Sequence, residues 1–442
     1  MASTKLTRTP SSAGNRKTYT ISMWIKGMGL GSQKTLLDSN FGGGSNEHRL
    51  LFKTGSNLEY YDYASSAYQF RYITNRLFRD VNAWYHIVCS VDTTQATASD
   101  RVKIYINGVQ ETSFSTETQP SQNLDTSLNT ANLHQFGTKN TGADYFDGSM
   151  SHIHFIDGTA YDASAFGETD ANGVWKIKTS PSVTYGTNGF FILKDGNSVT
   201  DQSGNSNNFT VAGGTLTNTE DSPSNVFATL NPLDGLPSGS GGGSSVVYSN
   251  GNTRSDSRNG SGEYPLCRAN IFVNSGKWYW EAKVDTSGIG IGAGVMSADA
   301  NGGDFRGGEW VYGAGFSGHS SGTGFEKYDN SGSITISDVS NSGGVIGYAL
   351  DLDNGTHSIY LNGVLEGTDT TLPSDNSVYF FPVSVGTFSG GNSWSPISFN
   401  FGNGYFGTTA VSTPGTNASG NGIFEYDVPT GYTALSTKGL NL

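Results

Sequence analysis

Short runs in which apolar and polar residues alternate, bounded by glycine, asparagine or aspartate, recur along the whole chain. A period of two residues is typical of a β-strand that buries one face, and no segment sustains the 3.6-residue period of an amphipathic helix. Only 163–168 could form a helical turn. The predicted strands are 19–25, 84–91, 101–106, 152–156, 277–284, 288–295, 345–352, 357–361, 379–385 and 397–401. Strands without intervening helices predict an all-β fold of antiparallel sandwiches or barrels.

Two nearly identical hexapeptides, IYINGV at 104–109 and IYLNGV at 359–364, end such runs. Alternation directs the aliphatic side chains of both runs to one face and Tyr105 and Tyr360 to the other. Asn-Gly is the preferred pair for a two-residue type I′ turn, so both stretches predict β-hairpins whose turns carry no chemistry. A Trp-Tyr strand precedes each hairpin at very different distances. The repeat therefore indicates a shared construction and not a recent duplication.

A boundary between domains is predicted at 231–245, NPLDGLPSGSGGGSS. Two prolines followed by a Gly/Ser tract offer no side chains able to build a core, which is typical of a linker. We therefore expect one domain over residues 1–230 and a second over residues 246–442.

Composition excludes some classes of function. Glycine accounts for 61 of 442 residues, about twice its ordinary share, as expected for strands joined by many tight turns. The formal charge is −13, which opposes nucleic-acid binding because such proteins need a basic footprint. No apolar run reaches transmembrane length, and the first twenty residues lack the apolar core of a signal peptide. We expect synthesis in a cytoplasm without standard export and without membrane insertion.

Two cysteines, Cys89 and Cys267, lie far apart in the sequence and in different predicted domains. A chain of this size needs no disulfide, so we expect both to be buried free thiols.

The first half of the chain resembles a laminin-G-like, or concanavalin A-like, jelly-roll domain. The segments that carry the resemblance are YTISMWIKG (19–27), NAWYHIVCSVD (82–92), RVKIYINGVQ (101–110) and FDGSMSHIHFIDGTAYD (146–162). They correspond to the family's opening strand, its Trp-containing strand, its Asn-Gly hairpin and its closing strand. The resemblance implies an antiparallel β-sandwich over most of residues 1–230.

The second half is similar to a SPRY domain, which is also a concanavalin-like sandwich. The matching segments follow that family's order, and they are 275–284, 289–297, 328–333, 345–364, 379–386 and 429–435. The whole chain is therefore expected to form two concanavalin A-like, jelly-roll sandwiches in tandem.

The tandem pair, opening with TRTPSSAGNRKTYTISMWIKG, resembles proteins encoded by tailed bacteriophages. That resemblance implies a non-enzymatic virion protein, such as a fibre, an appendage or a capsid decoration. Its expected partners are other virion proteins and host surface polysaccharides, and homo-oligomers, trimers among them, are common in that setting. The alternatives are a lectin-like carbohydrate-binding module and, third, a glycan-cleaving enzyme of the same fold.

A glycan-cleaving enzyme of the retaining type needs two carboxylates about 5–5.5 Å apart. Concanavalin-like glucanases supply them as Glu-X-Asp-X-X-Glu on one strand. The nearest run here is EYDVPT, where Glu425 and Asp427 match but Thr430 takes the third place. The run also lies at the end of the SPRY-like half. We therefore expect no catalytic residues and no enzyme activity.

Ligand binding is expected in two stretches rich in aromatic residues. The stretch 304–328 places aromatic and charged residues among glycines, a composition suited to sugar stacking or peptide capture. Its candidates are Arg306, Glu309, Trp310, Tyr312, Phe316, His319, Phe325 and Tyr328. The stretch 58–72 alternates tyrosine with polar residues, so Tyr61, Tyr63 and Arg71 could share one exposed strand face while its other tyrosines are buried.

Two patterns raise the question of metal binding. His152 and His154 share one face of a strand, with Ile153 opposite, and could bind zinc if further ligands were present. The favoured interpretation places both imidazoles on the polar face of an outer strand. Asp144 and Asp147, with Asp38, could be calcium ligands, as in some laminin-G-like domains. Since aspartates in such loops more often cap turns, no cofactor is expected.

Overall fold

The computed structural model forms two compact units, and each is described by itself. The first unit comprises Met1–Asn218 and Ser222–Ser224, and the second comprises Thr219–Asp221 and Asn225–Leu442. The structure describes residues 3–27, 31–41, 46–194, 199–235, 245–258, 266–284, 292–297, 313–318, 325–328, 335–336, 344–370, 372–385 and 396–441.

The described part of the first unit is built from antiparallel strands and two short 3₁₀ helices. The strands are β1 (Lys5–Arg8), β2 (Thr18–Lys26), β3 (Lys34–Phe41), β4 (Asn46–Phe52), β5 (Asn57–Ala64), β6 (Ala67–Leu77), β7 (Trp84–Asp92), β8 (Val102–Ile106), β9 (Val109–Gln110), β10 (Phe114–Thr118), β11 (His134–Phe136), β12 (Ser149–Asp157), β13 (Gly167–Thr169), β14 (Trp175–Ile177), β15 (Phe190–Ile192) and β16 (Thr210–Gly213). The 3₁₀ helices are Ala98–Asp100 and Ala163–Ala165, and the second confirms the predicted helical turn.

Two sheets of the first unit pack face to face. One has the order β10-β6-β5-β4-β3-β11-β1-β16, the other has the order β15-β12-β2-β7-β8-β9, and β13 pairs with β14. Alternate residues of both sheets meet in a single core that contains Ile21, Cys89 and Ile104 from the six-stranded sheet and Leu50 and Phe70 from the eight-stranded one. The first unit is therefore an antiparallel sandwich, as the strand pattern predicts.

An extra layer covers the outer face of the six-stranded sheet. This outer layer, residues 158–186, contains the β13–β14 hairpin and packs Phe166 and Trp175 against Val88 and Ile156. Trp175 donates a hydrogen bond from Nε1 to His86 Nδ1 at 3.1 Å. The sheet is thus buried on both faces, which explains why most residues of β2, β7 and β12 are buried.

The described part of the second unit is again made of strands. They are β17 (Leu230–Gly235), β18 (Ser245–Ser249), β19 (Arg254–Arg258), β20 (Leu266–Ala269), β21 (Lys277–Val284), β22 (Gly292–Ser297), β23 (Gly313–Gly318), β24 (Phe325–Tyr328), β25 (Thr335–Ile336), β26 (Val345–Asp351), β27 (Thr356–Leu361), β28 (Val364–Asp369), β29 (Phe380–Val385), β30 (Ile397–Asn400), β31 (Tyr405–Phe406), β32 (Thr409–Ala410) and β33 (Thr433–Ala434). A 3₁₀ helix spans Gly439–Asn441.

The second unit also buries its core between two sheets. The sheet β17-β20-β29-β22-β23-β24-β25 faces the sheet β18-β19-β30-β21-β26-β27-β28, and β33 adds a parallel pairing to β21. Trp280 and Tyr348 stack at 5.5 Å in this core beside Phe399 and Phe380. The fold is therefore all-β, with two antiparallel β-sandwiches in tandem, and each run predicted as a strand overlaps an observed one.

The C-terminal segment covers the outer face of the second unit's larger sheet and is held by a buried glutamate. Glu281 accepts hydrogen bonds from the backbone amides of Glu425 and Tyr426, both at 2.9 Å, and from Asn400 Nδ2 at 3.2 Å. Burial raises the pKa of Glu281 to about 7 although these hydrogen bonds lower it. The outward side chain of Tyr279 packs on Phe424 at 5.0 Å.

The division between the units falls earlier than the boundary predicted from the Gly/Ser tract. Leu230–Gly235 is a strand that pairs with Leu266–Ala269, and Ala228 and Leu230 are buried in the second unit's core. The first residues of the predicted 231–245 linker are thus ordered by sheet pairing, a long-range interaction that composition does not reveal. Residues 236–244 lie outside the described residues.

Both Asn-Gly hairpins have the predicted geometry. Asn107 and Gly108 have φ values of 48° and 81°, and Asn362 and Gly363 have 50° and 81°, as type I′ turns require. Each asparagine also caps the neighbouring strand, because its Oδ1 accepts a hydrogen bond from a backbone amide. The donor to Asn107 is His86, at 2.8 Å, and the donor to Asn362 is Val345, at 3.0 Å.

The glycines of these two turns are required for a second reason. A Cβ atom on Gly108 would overlap the ring of Trp175, and a Cβ atom on Gly363 would overlap the ring of Tyr426. Trp175 belongs to the outer layer of the first unit, and Tyr426 belongs to the covering C-terminal segment of the second. Each hairpin turn therefore docks an aromatic ring from the chain segment that covers its sheet.

Cys89 and Cys267 are both buried and neither is in a disulfide, as predicted. Among the residues that the structure describes, helices with the length and hydrophobicity needed to span a bilayer are absent.

Candidate functional site

Polar and aromatic side chains gather on the outer face of the eight-stranded sheet in the first unit. In β5, Leu58 and Tyr60 point into the core, so Glu59, Tyr61 and Tyr63 point to the opposite face. Strand pairing then sets Tyr61 opposite Arg71, Tyr63 opposite Tyr68 and Tyr63 opposite Glu47. We call this group the tyrosine–arginine face, and its members are Glu47, Glu59, Tyr61, Tyr63, Tyr68 and Arg71.

Tyr68 is the centre of the tyrosine–arginine face. Its ring lies edge-to-face with Tyr61 at 5.4 Å and with Tyr63 at 5.1 Å. The guanidinium carbon of Arg71 lies 4.4 Å from the centroid of the same ring. Tyr68 is 41% exposed, so a large aromatic surface is presented to solvent while three neighbours fix its position.

Carboxylates hold the other members of the face in place. Glu59 accepts from Arg71 Nε at 2.7 Å and pairs with Lys53 Nζ at 3.2 Å. The Tyr61 hydroxyl donates to Glu47 Oε2 at 2.5 Å. Burial, followed by the effect of Glu47, raises the pKa of Tyr61, so this hydroxyl stays protonated and remains a donor.

The alternation of tyrosine with polar residues predicts Tyr61, Tyr63 and Arg71 on one face, and the structure brings them together there. Tyr61 is nevertheless buried, with 7% exposure, whereas Tyr68 is the exposed ring of the stretch and was expected to be buried. The missing signal is the turn at Ser65 and Ser66, which have φ values of 52° and 63°. Glu47 on β4 and Glu59 on β5 also belong to the face, and the tyrosine pattern did not predict them.

A buried acid lies in the strand beside this face. Asp38 is fully buried, and burial, followed by repulsion from Glu47, raises its pKa to about 7. Arg49 Nε lies 4.0 Å from Asp38 Oδ2, and its positive charge lowers the pKa of Asp38 in opposition to these two effects. The Asp38 carboxyl is accordingly surrounded by protein and is not presented to a ligand.

The two proposed calcium ligands in the loop before β12 are paired with cations. Asp144 lies 2.7 Å from Arg49 Nη2 and 3.0 Å from Lys139 Nζ, and Asp147 lies 2.9 Å from Lys34 Nζ. Hydrogen bonds from Lys139 and Arg49 outweigh partial burial and keep the pKa of Asp144 low. Within the described ranges, no group of three or more His, Cys, Asp or Glu side chains is placed to hold a metal ion.

The expectation that His152 and His154 occupy the polar face of an outer strand is wrong. Strand β12 lies between β15 and β2, and the outer layer covers it, so both imidazoles are buried. The His154 ring stacks on Phe191 at 4.0 Å, and its Nδ1 is hydrogen-bonded to the Tyr185 hydroxyl at 2.9 Å. A bulge beside His152, which has φ 47°, shifts the register here. Ile153 faces the core, as predicted.

The carboxylate pair considered for catalysis lies in the C-terminal covering segment. The Glu425 amide donates to Glu281, while Asp427 accepts hydrogen bonds from the backbone amide and the hydroxyl of Thr416, at 2.6 and 2.8 Å. These bonds lower the pKa of Asp427. Asp427 therefore closes a turn, a role that the sequence does not distinguish from a catalytic one.

Most of the stretch 304–328 lies outside the described residues. That applies to Arg306, Glu309, Trp310, Tyr312 and His319. Phe316 lies on β23, and Phe325 and Tyr328 lie on β24. The two strands pair antiparallel, with Gly318 of β23 opposite Phe325 and Gly315 of β23 opposite Tyr328. The backbone thus forms an antiparallel hairpin at the edge region of the smaller sheet, and binding by these residues stays a prediction.

The first unit, which carries the tyrosine–arginine face, matches a known family. Residues 2–164 match the concanavalin A-like lectin/glucanases superfamily, through its laminin-G-like model. That match lies within the half for which sequence analysis expected such a domain. The superfamily includes lectins and glucanases, so the fold is compatible with carbohydrate binding. No curated protein matches the chain.

Solved structures similar to the chain include SPRY domains. The TRIM65 PSpry domain is 14% identical, with a TM-score of 0.30, over 39% of this chain and 88% of that one. The SPRY domain of human HERC1 is 20% identical, with a TM-score of 0.28, over 38% of this chain and 96% of that one. A heptameric SAP-like pentraxin from Limulus polyphemus is 12% identical, with a TM-score of 0.26, over 36% of this chain and 71% of that one.

Proposed function

We propose that this chain is a non-enzymatic carbohydrate-binding protein and that the tyrosine–arginine face is its glycan site. The observation that carries the proposal is the Tyr68 ring, 41% exposed on an outer sheet face and supported by Tyr61, Tyr63 and Arg71. A sugar ring can stack on such an aromatic surface while charged and hydroxyl groups beside it bind the sugar hydroxyls.

The rigidity of the face supports this function. Glu59 fixes Arg71, and Glu47 fixes Tyr61, so the groups that would contact a sugar are already positioned. A preorganised site loses less conformational entropy when a ligand binds. Tyrosine suits this role because its large ring has few rotatable bonds.

The disposition of carboxylates supports a binding role without catalysis. Glycoside hydrolysis requires two carboxyl groups that both reach the scissile bond. Asp38, with a pKa of about 7, would suit a general acid, but its side chain is fully buried. Glu59 and Glu47 are engaged with Arg71 and Tyr61. Glu425 and Asp427 lie in the second unit, in a turn closed by Thr416.

Tyr68→Ala is expected to weaken glycan binding by about tenfold, which corresponds to ~1.4 kcal/mol, because it removes the exposed stacking surface. The full chain should first be screened on an array of bacterial surface polysaccharides. Calorimetry with the strongest-binding glycan then compares the variant with the parent chain.

Leu77→Ala provides the matched control, because Leu77 lies on the same strand and is 40% exposed. It should leave binding unchanged. Arg71→Lys keeps the charge but loses the planar group over Tyr68, and its effect should be intermediate. A parent chain that binds no glycan on the array, or equal affinities for Tyr68→Ala and Leu77→Ala, would contradict this function.

For the biological setting, we propose that the protein is a surface component of a tailed-phage particle, where it contacts other virion proteins and host polysaccharide. The resemblance of the tandem sandwiches to phage-encoded virion proteins supports this setting. Two sandwiches that each present loops and sheet faces suit an attachment role outside a capsid or tail.

The virion proposal predicts that the protein remains with infectious particles through density-gradient purification. Peptides from both units should then be found by mass spectrometry at a constant ratio to the major capsid protein. Particles that retain infectivity and yield no such peptides would show that the protein is not a virion component.

A further inference from the structure

Two aromatic rings stand exposed side by side on the second unit. Phe272 is 57% exposed and Tyr379 is 44% exposed. Their ring centroids are 5.6 Å apart with an interplanar angle of 82°. Isolated exposed apolar side chains are common on protein surfaces, whereas two adjoining rings form a continuous aromatic surface on which a ligand can pack.

The backbone beneath this pair is rigid. Val273 and Phe380 form an isolated bridge in which each amide donates to the other's carbonyl, at 2.8 and 2.7 Å. Both side chains are buried in the second unit's core. Because successive residues of extended chains point to opposite sides, burial of Val273 and Phe380 forces Phe272 and Tyr379 outward.

The surroundings of the pair are mainly polar, with one carboxylate nearby along the chain, that of Asp375, which accepts hydrogen bonds from the amide and the hydroxyl of Ser377. The segments NIFVN (270–274) and NSVYF (376–380) contain no charged residue. Asn274 Nδ2 donates to the carbonyl of Asn376 at 3.0 Å, which ties the two segments together. Ile271 and Val378 are only partly exposed and pack on the core, so the exposed apolar surface is confined to the two rings.

We propose that Phe272 and Tyr379 form a second carbohydrate site, which binds neutral sugar rings and acts independently of the tyrosine–arginine face. An exposed ring face matches the apolar C–H face of a pyranose, while amide and hydroxyl groups beside it match the sugar hydroxyls. Neither segment carries a cation, and the carboxylate of Asp375 lies close along the chain, so an uncharged glycan is favoured over an anionic one. A protein partner would need about 800 Å² on each side, far more than two rings provide.

The test uses the full chain and affinity electrophoresis in gels that contain dextran, a β-glucan or a galactomannan, with dextran sulfate as the charged comparison. Tyr68→Ala should remain retarded by at least one neutral polysaccharide. Adding Phe272→Ala and Tyr379→Ala to that variant should abolish the remaining retardation, a change of about tenfold or more in apparent affinity.

Val364→Ala is the matched control, because Val364 is 64% exposed on the same unit. All variants should keep the parent's melting temperature, since only exposed side chains are truncated. Complete loss of retardation in Tyr68→Ala alone, or retardation that survives removal of both rings, would overturn the second site. Retardation by dextran sulfate alone would overturn the assignment to neutral glycans.

Two further outcomes separate this proposal from its alternatives. If Phe272→Ala and Tyr379→Ala lose binding while Tyr68→Ala keeps the parent's affinity, the second site stands and the tyrosine–arginine face is not the glycan site. The parent chain could instead show no retardation by any neutral polysaccharide and self-associate through these rings. Sedimentation would reveal this as an oligomer of the parent chain that the Phe272→Ala variant does not form. The surface would then be a protein contact, and the proposal would fail.

Discussion

Asp62→Ala is expected to destabilise the first unit by about 3–5 kcal/mol, because the substitution breaks a buried charged network. Asp62 Oδ1 lies 3.0 Å from His48 Nδ1 and accepts a hydrogen bond from the Ser127 amide at 2.7 Å. His48 Nε2 is in turn 3.0 Å from the Tyr60 hydroxyl. Asp62, His48 and Tyr60 are all fully buried, so water cannot replace the lost carboxylate.

The measurement is urea unfolding of the full chain followed by hydrogen-exchange pulse labelling, which reports separately on peptides from each unit. The midpoint for strands β2 and β7 should fall sharply, while the midpoint for β21 and β26 stays unchanged. Asp62→Asn keeps an acceptor and should cost less. Asp100→Ala removes the partner of Lys103 from an exposed pair and should cost at most about 0.5 kcal/mol. Equal effects of Asp62→Ala and Asp100→Ala would contradict this account of the core.

Acidification from pH 6.5 to pH 4.5 is expected to cost the first unit about 5 kcal/mol of unfolding free energy. Burial lowers the pKa of His86 to about 3, that of His134 to about 4 and that of His154 well below its ordinary value. In the unfolded chain these groups titrate near pH 6.5, so the unfolded state binds more protons throughout this window. Stability is therefore complete above pH 6.5 and is lost as pH falls toward the folded-state pKa values.

The size of this effect follows from the number of groups and the sign of each. Every histidine that stays neutral in the folded state costs about 2.3 kcal/mol of unfolding free energy between pH 6.5 and pH 4.5, because the unfolded histidine is already half protonated at pH 6.5. Asp38 acts in the opposite sense: its folded-state pKa of about 7 lies above that of the unfolded chain, so acidification returns about as much as one histidine loses. The three histidines lower the unfolding free energy on acidification and Asp38 raises it, so the net loss is about 5 kcal/mol.

Urea unfolding at pH 6.5, 5.5 and 4.5, with labelling always at one pH, measures this slope for the first unit. His134 offers a control variant, because its Nε2 accepts from the Asn129 amide at 3.1 Å and its Nδ1 donates to the Asn132 carbonyl at 2.8 Å. His134→Gln can keep both hydrogen bonds without titrating, so its loss of stability should be about half that of the parent chain, because two histidines then remain against Asp38. Stability of the first unit that is constant or rises on acidification would refute the prediction.

Local sequence was sufficient to predict the central strands of the first unit's six-stranded sheet, whereas its eight-stranded sheet contains none of the predicted strands. Val102, Ile104 and Ile106 are buried in the core, and Tyr105 faces the opposite side, as alternation required. Asn107-Gly108 forms the expected turn because few residue pairs adopt two successive positive φ values. The two-sandwich, all-β fold is confirmed, since it depends on periodicity that each strand carries within itself.

Long-range packing accounts for what the sequence did not reveal. His152 and His154 have the spacing of a polar strand face, but the irregular outer layer that buries them has no periodic signal. The ring of Tyr68 is exposed because Ser65 and Ser66 form the tight turn, a role more often taken by Asn-Gly. Leu230 was assigned to the end of the first domain, although sheet pairing places it in the second unit. Each difference arises from a contact between distant segments.

The docking of Trp175 on Gly108 and of Tyr426 on Gly363 determines where the protein can be labelled for imaging. Hairpin tips are the usual choice for inserting an epitope or a fluorophore. At these two turns an insertion would separate the aromatic ring from the glycine and release the covering segment. The turn at Asn172 and Gly173 is exposed, and a Cβ at Gly173 would meet no neighbouring atom. A tag placed there would avoid both ring–glycine contacts, although Trp175 lies two residues further along the same hairpin.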